Sequence, residues 1–351
     1  MEKRVEKIQA ELAPFQWFFV TDPKNVRYLS GFTGTSGYVL LNQSEAYFLT
    51  DFRYAEQAKL QCPHLEIVIH KPIVFDSVAE LTKGAKTLLV EASNLTWENY
   101  QKLQEKLASA VTGTKDIVEK LRIVKDQKEI ALIEEAARIT DEAFLEVCDF
   151  IKPGVREKDI ARELEFAMKR KGASQVAFDF IVASGERGAL PHGVASEKTI
   201  KAGEFVTLDI GAVYEGYHSD MTRTVAVGYG DGFLKEIYEI VLKAQEEALK
   251  AVKVGKSGFE IDKIARDIIT DLGYGDNFGH GLGHGVGLDI HEQPRISPQA
   301  DTILEENMII TIEPGIYLPQ KGGVRIEDLV VVEAEGARRL SLSSKELIVL
   351  C

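Results

Sequence analysis

Three of the seven histidines in this chain fall within the stretch Gly279-His-Gly-Leu-Gly-His-Gly-Val-Gly-Leu-Asp-Ile-His-Glu292. Imidazole titrates near neutral pH and is the commonest nitrogen ligand of metal ions, so this spacing is where chemistry is sought first. Glycine at every odd position from Gly279 to Gly287 argues against a helix, because each would cost about 1 kcal/mol relative to alanine. A period of two predicts an extended strand instead. One face is bare glycine, open to another backbone or a ligand, and His280, Leu282, His284, Val286 and Leu288 share the other. His291 has the opposite parity, so a bend at Asp289-Ile290 is needed to bring it back. Taken alone, the stretch fits a glycine-rich turn with satisfied histidines equally well.

Four carboxylates elsewhere weigh against that. Asp209 ends the apolar run from Phe205, and Glu313, 104 residues later, ends the run from Met308. Each run leads through a turn to a second acid, Asp220 in the first case and Glu327 in the second. In the first hairpin, a turn at Tyr214-Glu215 sets Asp209 directly opposite Asp220, whereas a turn at Glu215-Gly216 makes them diagonal neighbours. Both registers put the two acids on one face. Directly opposed Cβ atoms lie about 4.5–5.5 Å apart, and like charges there repel unless a cation lies between them. In the second hairpin, Pro314 and the long loop to Gly323 leave the register open. Singly, each acid reads as an ordinary turn or cap residue; the matching offsets make them a set. Asp209, Asp220, His284, Glu313 and Glu327 form an oxygen-rich ligand set that suits Mn, Co, Fe or Zn better than a thiolate zinc site would. Four negative charges balance two divalent cations, which in dinuclear sites sit about 3.5–4 Å apart.

These residues need elements to hold them. A long helix from Asp126 to Phe150 and a second from Glu157 to Lys171 are followed by strands near Phe178–Ala183, Phe205–Ala212 and Thr222–Val227. The order then restarts with helices Leu234–Val252 and Phe259–Leu272. Ile160-Ala-Arg-Glu163 recurs as Ile264-Ala-Arg-Asp267 at the same offset of 104, so an internal duplication is expected. Ahead of it, the chain reads as a mixed α/β unit with strands at Trp17–Val20, Tyr38–Leu41, Ala46–Thr50, Ile67–Ile69 and Thr87–Val90 and helices at Phe52–Leu60, Phe75–Leu81 and Trp97–Leu107. The N-terminus itself spaces Val5, Ile8 and Leu12 as a short amphipathic helix. Gly31-Phe-Thr-Gly-Thr-Ser-Gly37 lacks the Lys-Ser/Thr of a phosphate-binding loop and is read as a turn.

The 351 residues suffice for two domains, and 42 basic against 55 acidic residues give a net charge of -13, which disfavours nucleic acid or an anionic membrane as partner. No apolar run approaches the ~18 residues of a membrane helix. Three widely spaced cysteines form neither a disulfide framework nor a zinc ribbon. A cytoplasmic location is the simplest reading.

Residues 122–335 resemble the catalytic domain of the pita-bread metallopeptidases, the group of methionine aminopeptidase, aminopeptidase P and prolidase. The motifs are Leu190-Pro-His-Gly193, Asp209-Ile-Gly-Ala, His218-Ser-Asp-Met-Thr-Arg, Gly281-Leu-Gly-His-Gly-Val-Gly-Leu288, His291-Glu, Ile312-Glu-Pro-Gly and Gly323-Val-Arg-Ile-Glu-Asp328. The resemblance implies an α+β chain, with a creatinase/prolidase-type domain over residues 1–122 and a pita-bread domain with an internal pseudo-two-fold repeat over 123–351. All five metal-ligand positions are filled, which argues against the metal-free creatinase branch and non-catalytic relatives. The N-terminal domain favours the aminopeptidase P and prolidase members over a minimal methionine aminopeptidase.

The implied reaction is hydrolysis of the bond before proline in small peptides, assisted by two divalent ions, Mn or Co first and Zn or Fe as alternatives. In it, Glu313 ligates and accepts the proton of water, while His192 and His291 bind substrate and stabilise the tetrahedral intermediate. His280, four residues before His284, is expected beside the metals or the proline. Arg295 resembles a prolidase residue and would clamp the carboxylate of an Xaa-Pro dipeptide. Arg325, one strand period from Glu327, is expected to orient that ligand. Dipeptidase activity is the preferred expectation, with aminopeptidase P next. A homodimer is implied by resemblance alone.

Overall fold

A computed structural model describes residues 1–351. The chain divides into two compact units, Met1–Arg122 and Ile123–Cys351. The first contains α1 (Glu2–Glu11), β1 (Gln16–Val20), α2 (Pro23–Ser30), β2 (Tyr38–Leu41), β3 (Ala46–Thr50), α3 (Ala55–Gln61), β4 (Glu66–Ile69), α4 (Val74–Leu81), β5 (Thr87–Glu91), α5 (Trp97–Lys106), β6 (Ala110–Thr114) and α6 (Ile117–Arg122). Its six-stranded sheet has the order β4-β3-β2-β1-β5-β6, with β2 antiparallel to both neighbours and the other pairs parallel. Trp17, Phe19, Leu40 and Val90 form part of its core.

Sequence reading missed α2, β6 and α6. The signal for α2 was present: Asp22 accepts from the backbone amides of Lys24 and Asn25, with Pro23 at the first helical position. The expected helix from Phe52 begins instead with a 3₁₀ turn over Phe52–Tyr54. The Gly31–Gly37 segment is a turn. A Cβ at Gly34 or Gly37 would lie 2.4 Å from the ring of Phe32 or Phe48, so these glycines admit aromatic packing.

In the second unit, α7 (Gln127–Cys148) starts at Asp126 with a capping box closed by Glu129. Then follow α8 (Glu157–Arg170), β7 (Gln175–Val176), β8 (Ile181–Ser184), β9 (Phe205–Ile210), β10 (Ala212–Tyr214), β11 (Tyr217–His218) and β12 (Met221–Val227). The second half comprises α9 (Gly232–Ala251), α10 (Gly258–Asp271), β13 (Gly283–Gly285), β14 (Glu292–Ile296), β15 (Ile309–Ile312), β16 (Gly315–Leu318), β17 (Gly322–Arg325), β18 (Asp328–Glu333), β19 (Gly336–Arg339) and β20 (Val349–Leu350).

The duplication is visible in the topology. One sheet runs β20-β12-β9-β8 and the other β14-β13-β15-β18-β19, so the antiparallel trio β8-β9-β12 recurs as β13-β15-β18, each after a helix pair. Buried apolar faces of α7 and α8 cover the first trio and those of α9 and α10 the second. No helix is long and apolar enough to cross a membrane.

Buried polar groups cross the seam between the halves. Arg223, fully buried on β12, donates to the carbonyl of Glu327 and to the Asp328 carboxylate, 2.8 Å away. The Glu327 amide donates to the Thr222 carbonyl at 3.1 Å. These bonds carry the acids of one hairpin to those of the other.

Candidate metal centre and active site

The first hairpin resolves the two registers left open above. Thr222 pairs with Asp209 and Tyr214 with Tyr217, so the turn is Glu215-Gly216 and the acids are diagonal neighbours. Both turn residues have positive φ, 45° at Glu215 and 78° at Gly216, a primed turn that matches strand twist. In the second hairpin, Gly315 pairs with Arg325 and, beyond a break at Glu313-Pro314, Ile312 pairs with Asp328. Both ladders keep one register, which sets Glu313 opposite Glu327.

The glycine-rich segment departs from the expected long strand: only Gly283–Gly285 is strand, wedged between β14 and β15. The bare face is used as its composition suggests. A Cβ at Gly283 would lie 2.0 Å from the Thr311 carbonyl oxygen and one at Gly285 2.2 Å from that of Gln293. Bends from Gly287 to His291 then turn the chain, and the His291 and His284 ring centroids come within 4.3 Å. Asp262 of α10 accepts from the Leu282 amide at 3.0 Å and is paired with Arg266, whose guanidinium also holds the carbonyls of Phe278 and His280.

All five expected ligands line one cavity of about 700 Å³. The nearest ligating atoms of Asp220, His284 and Glu327 lie within 4.8 Å of one another. His284 Nε2 stands 3.6 Å from Asp220 Oδ2 and 3.4 Å from Glu313 Oε1. His284 Nδ1 lies 3.0 Å from the Gly285 carbonyl, which can only accept; Nδ1 therefore carries the proton and Nε2 offers a lone pair to the cluster.

The carboxylates are held in the same one-sided way. Asp209 Oδ2 accepts from Arg325 at 2.6 Å and Glu327 Oε2 from the Thr222 hydroxyl at 2.8 Å, while buried Asp209 Oδ1, Glu327 Oε1 and Asp220 Oδ1 have no hydrogen-bond partner. Glu313 Oε1 accepts from Thr311 at 3.2 Å.

Burial, followed by repulsion from Glu327, Asp209 and Glu313, raises the pKa of Asp220 well above the usual carboxylate range. Burial and the neighbouring carboxylates do the same to Glu327, and Glu313 is pushed up to about 8, mainly by burial. Burial lowers His284 to about 3. Neutral imidazole, unpaired buried oxygens and mutually repelling acids are the donor chemistry a divalent cation satisfies, and these residues fit one.

Around the cluster, His192 and His291 line the cavity and neither imidazole makes a hydrogen bond within the protein. His280 also lines it, but both ring nitrogens are engaged: Nδ1 with the Gly281 carbonyl at 2.7 Å and Nε2 with the Tyr317 hydroxyl at 2.9 Å. Arg295, exposed on β14, faces the same cavity with no acceptor for its guanidinium.

Arg325 differs from expectation. Its guanidinium reaches Asp209, Tyr317 and Thr222 and does not orient Glu327 directly, because it spans from the second hairpin to the first. Thr222, Thr311 and Tyr317 were missed, although the first two lie two residues from Asp220 and Glu313 and share their strand parity.

Residues 131–334 match metallopeptidase family M24, and residues 4–124 match the creatinase/prolidase N-terminal domain. An Xaa-Pro dipeptidase of Pyrococcus furiosus is 44% identical over 99% of this chain and 100% of its own. A solved Xaa-Pro dipeptidase from Bacillus anthracis has 47% identity and a TM-score of 0.98 over 99% of both chains. A solved X-Pro aminopeptidase from Thermotoga maritima has 38% identity and a TM-score of 0.91, covering 98% of this chain and 100% of that one. With its two-part architecture, its acid-and-histidine cluster and these matches over nearly its whole length, the chain belongs to metallopeptidase family M24 and is a metal-dependent peptidase of the prolidase type.

Proposed function

We propose that the chain hydrolyses Xaa-Pro dipeptides, with Asp209, Asp220, His284, Glu313 and Glu327 holding two divalent cations, Mn or Co by preference and Zn or Fe as alternatives. Bound there, the cations would polarise the scissile carbonyl and make hydroxide available near neutral pH. The protein's own groups supply the rest. Glu313 accepts the proton of the attacking water, steadied by the Thr311 hydroxyl. His192 and His291, whose imidazoles make no hydrogen bond within the protein, donate hydrogen bonds where charge develops on the substrate oxygen. The free α-amine lies among the ligating acids, which makes the enzyme an exopeptidase. His280 holds Tyr317 and lends its ring to the proline side.

The observation that carries the dipeptide reading is the unpartnered guanidinium of Arg295 on the wall of the cluster's own cavity. A planar fork of donors suits a carboxylate close to the scissile bond. The dipeptidase relatives support this choice. A second reading, aminopeptidase P activity on longer peptides, is favoured by the likeness to the Thermotoga maritima X-Pro aminopeptidase. Methionine aminopeptidase activity is less favoured, given the matched N-terminal domain. Three free cysteines suit a reducing cytoplasm, and a homodimer belongs to the same family-based reading.

The test is release of proline from Ala-Pro and of alanine from Ala-Pro-Ala, with Mn or Co and with chelator. Cleavage of the dipeptide in preference, lost on chelation, is expected. Preference for the tripeptide would make this an aminopeptidase P, and activity that survives exhaustive chelation would refute the metal-dependent reading.

A further inference from the structure

The loop between β8 and β9 contributes His192 to the cavity wall and is held by an acid outside the cavity. We propose that Glu157 is a positioning residue: its buried carboxylate gathers this loop and thereby fixes the His192 imidazole for the reaction proposed above, on which the inference rests.

Glu157 is the first residue of α8 and is completely buried. Its carboxylate accepts from five donors, all on the loop or at its root. Ser184 gives its amide at 2.9 Å and its hydroxyl at 2.8 Å, and Ser196 its amide at 3.1 Å and its hydroxyl at 2.6 Å. The fifth is the Arg187 guanidinium. That guanidinium also donates to the Val194 carbonyl at 2.7 Å, and the Val194 amide returns to the His192 carbonyl at 2.9 Å. One buried carboxylate thus ties the root of the loop to Ser196, on the far side of His192, and, through Arg187, the turn at His192 itself. The backbone there has no slack: a Cβ at Gly193 would stand 2.9 Å from that of Ala183.

The second half has a comparable grip, built at a position that is not the repeat of Glu157. Asp262 on α10, also buried, pairs with Arg266, whose remaining donors hold the carbonyls of Phe278 and His280. In each half, a helix-borne acid and an arginine grip the main chain of a histidine-bearing segment, while the acid itself stays out of the cavity. Glu157 and Arg187 take no part in the metal cluster, so their effect must pass through the loop.

The experiment uses the full chain, loaded with Mn for kinetics and with diamagnetic Zn for spectra. Glu157→Gln is expected to lower kcat for Ala-Pro by about 10- to 100-fold, the scale of a reacting group displaced by about 1 Å, with KM and bound metal unchanged within about twofold. In a His192→Ala background the same change is expected to cost less than about threefold, because the group it positions is gone. The His192 imidazole resonance, identified by its loss in His192→Ala, should shift or broaden in Glu157→Gln while that of His64 stays. Arg187→Ala, at a partly exposed site, should produce the same spectral change with a smaller loss of kcat, and decides the matter should Glu157→Gln fail to fold. An unmoved His192 resonance, or equal loss in both backgrounds, overturns the proposal. Full activity of His192→Ala would instead overturn the role given to His192, a separate failure that the spectrum of Glu157→Gln distinguishes.

Discussion

Replacing Arg295 by alanine separates substrate recognition from catalysis, because this side chain holds nothing else. Its guanidinium has no protein acceptor, it stands on a cavity wall, and its removal leaves no buried group unpaired. The loss is therefore confined to the contact with substrate. A hydrogen bond to a charged group contributes about 1.5–3 kcal/mol. Arg295 is exposed, so screening by solvent favours the lower part of that range, about 1.5–2.5 kcal/mol for a two-pronged pair. At about 1.4 kcal/mol per factor of ten, kcat/KM for Ala-Pro should fall roughly 10- to 70-fold. Ala-Pro-Ala carries its carboxylate one residue further from the scissile bond and should change less than about threefold. Arg295→Lys keeps the charge and loses the fork, so it should fall between. The assay is initial-rate hydrolysis of both peptides below KM at saturating Mn. Equal losses on the two peptides, or none on the dipeptide, would refute the clamp.

Asp209→Asn and His284→Ala should each abolish hydrolysis and lower bound metal per chain; full activity in either would refute the ligand set. The metal-free protein should lose stability as pH rises from 6.5 to 8. Glu313, unfolded near 4.5 and pushed up to about 8 when folded, binds its proton in that window only in the native state, at about 1.4 kcal/mol per pH unit. The buried histidines, His280 lowered to about 4 and His284 to about 3, act in the opposite sense, but only below pH 6.5. Thermal unfolding at pH 6.5 and 8 should therefore diverge after chelation and converge with saturating metal; a chelated protein that is as stable at pH 8 as at 6.5 would contradict this. Gly283→Ala should destabilise by about 2–3 kcal/mol, because its Cβ would meet the Thr311 carbonyl at 2.0 Å, whereas Gly279→Ala, with open space around it, should stay within about 0.5 kcal/mol in chemical denaturation.

Period and parity made much of the site legible. The repeat offset joined Asp209 to Glu313, and strand parity put Asp220 on the face of its partner; the first needs only the sequence repeat and the second only local geometry. The same rule, carried two residues further, reaches Thr222 and Thr311, whose hydroxyls hold Glu327 and Glu313. What parity does not encode is reach across the seam. Arg325 shares a strand with the approach to Glu327, yet its long side chain crosses to Asp209, a choice made by the packing of β17 beside β9 and β12. The glycine-rich strand is short for a similar reason: pairing partners exist only at Gly283–Gly285, although the alternation runs on to Gly287.

The two hairpins are equivalent in descent through the chain but differ in register, and that difference is what lets four acids share one cavity with their supports. In the first, the Glu215-Gly216 turn makes Asp209 and Asp220 diagonal and places Thr222 directly opposite Asp209. Thr222 then serves both halves, with its hydroxyl donating to Glu327 and accepting from Arg325 while Arg325 holds Asp209. Had the turn fallen at Tyr214-Glu215, Asp220 would stand opposite Asp209 and Thr222 would move two residues along the ladder, out of line with both. In the second, Glu313 and Glu327 face one another across a break where Pro314 donates no ladder bond. The left-handed backbone at Glu215 is thus a specificity device for the cluster: it selects the register in which one threonine and one arginine can fix an acid from each half.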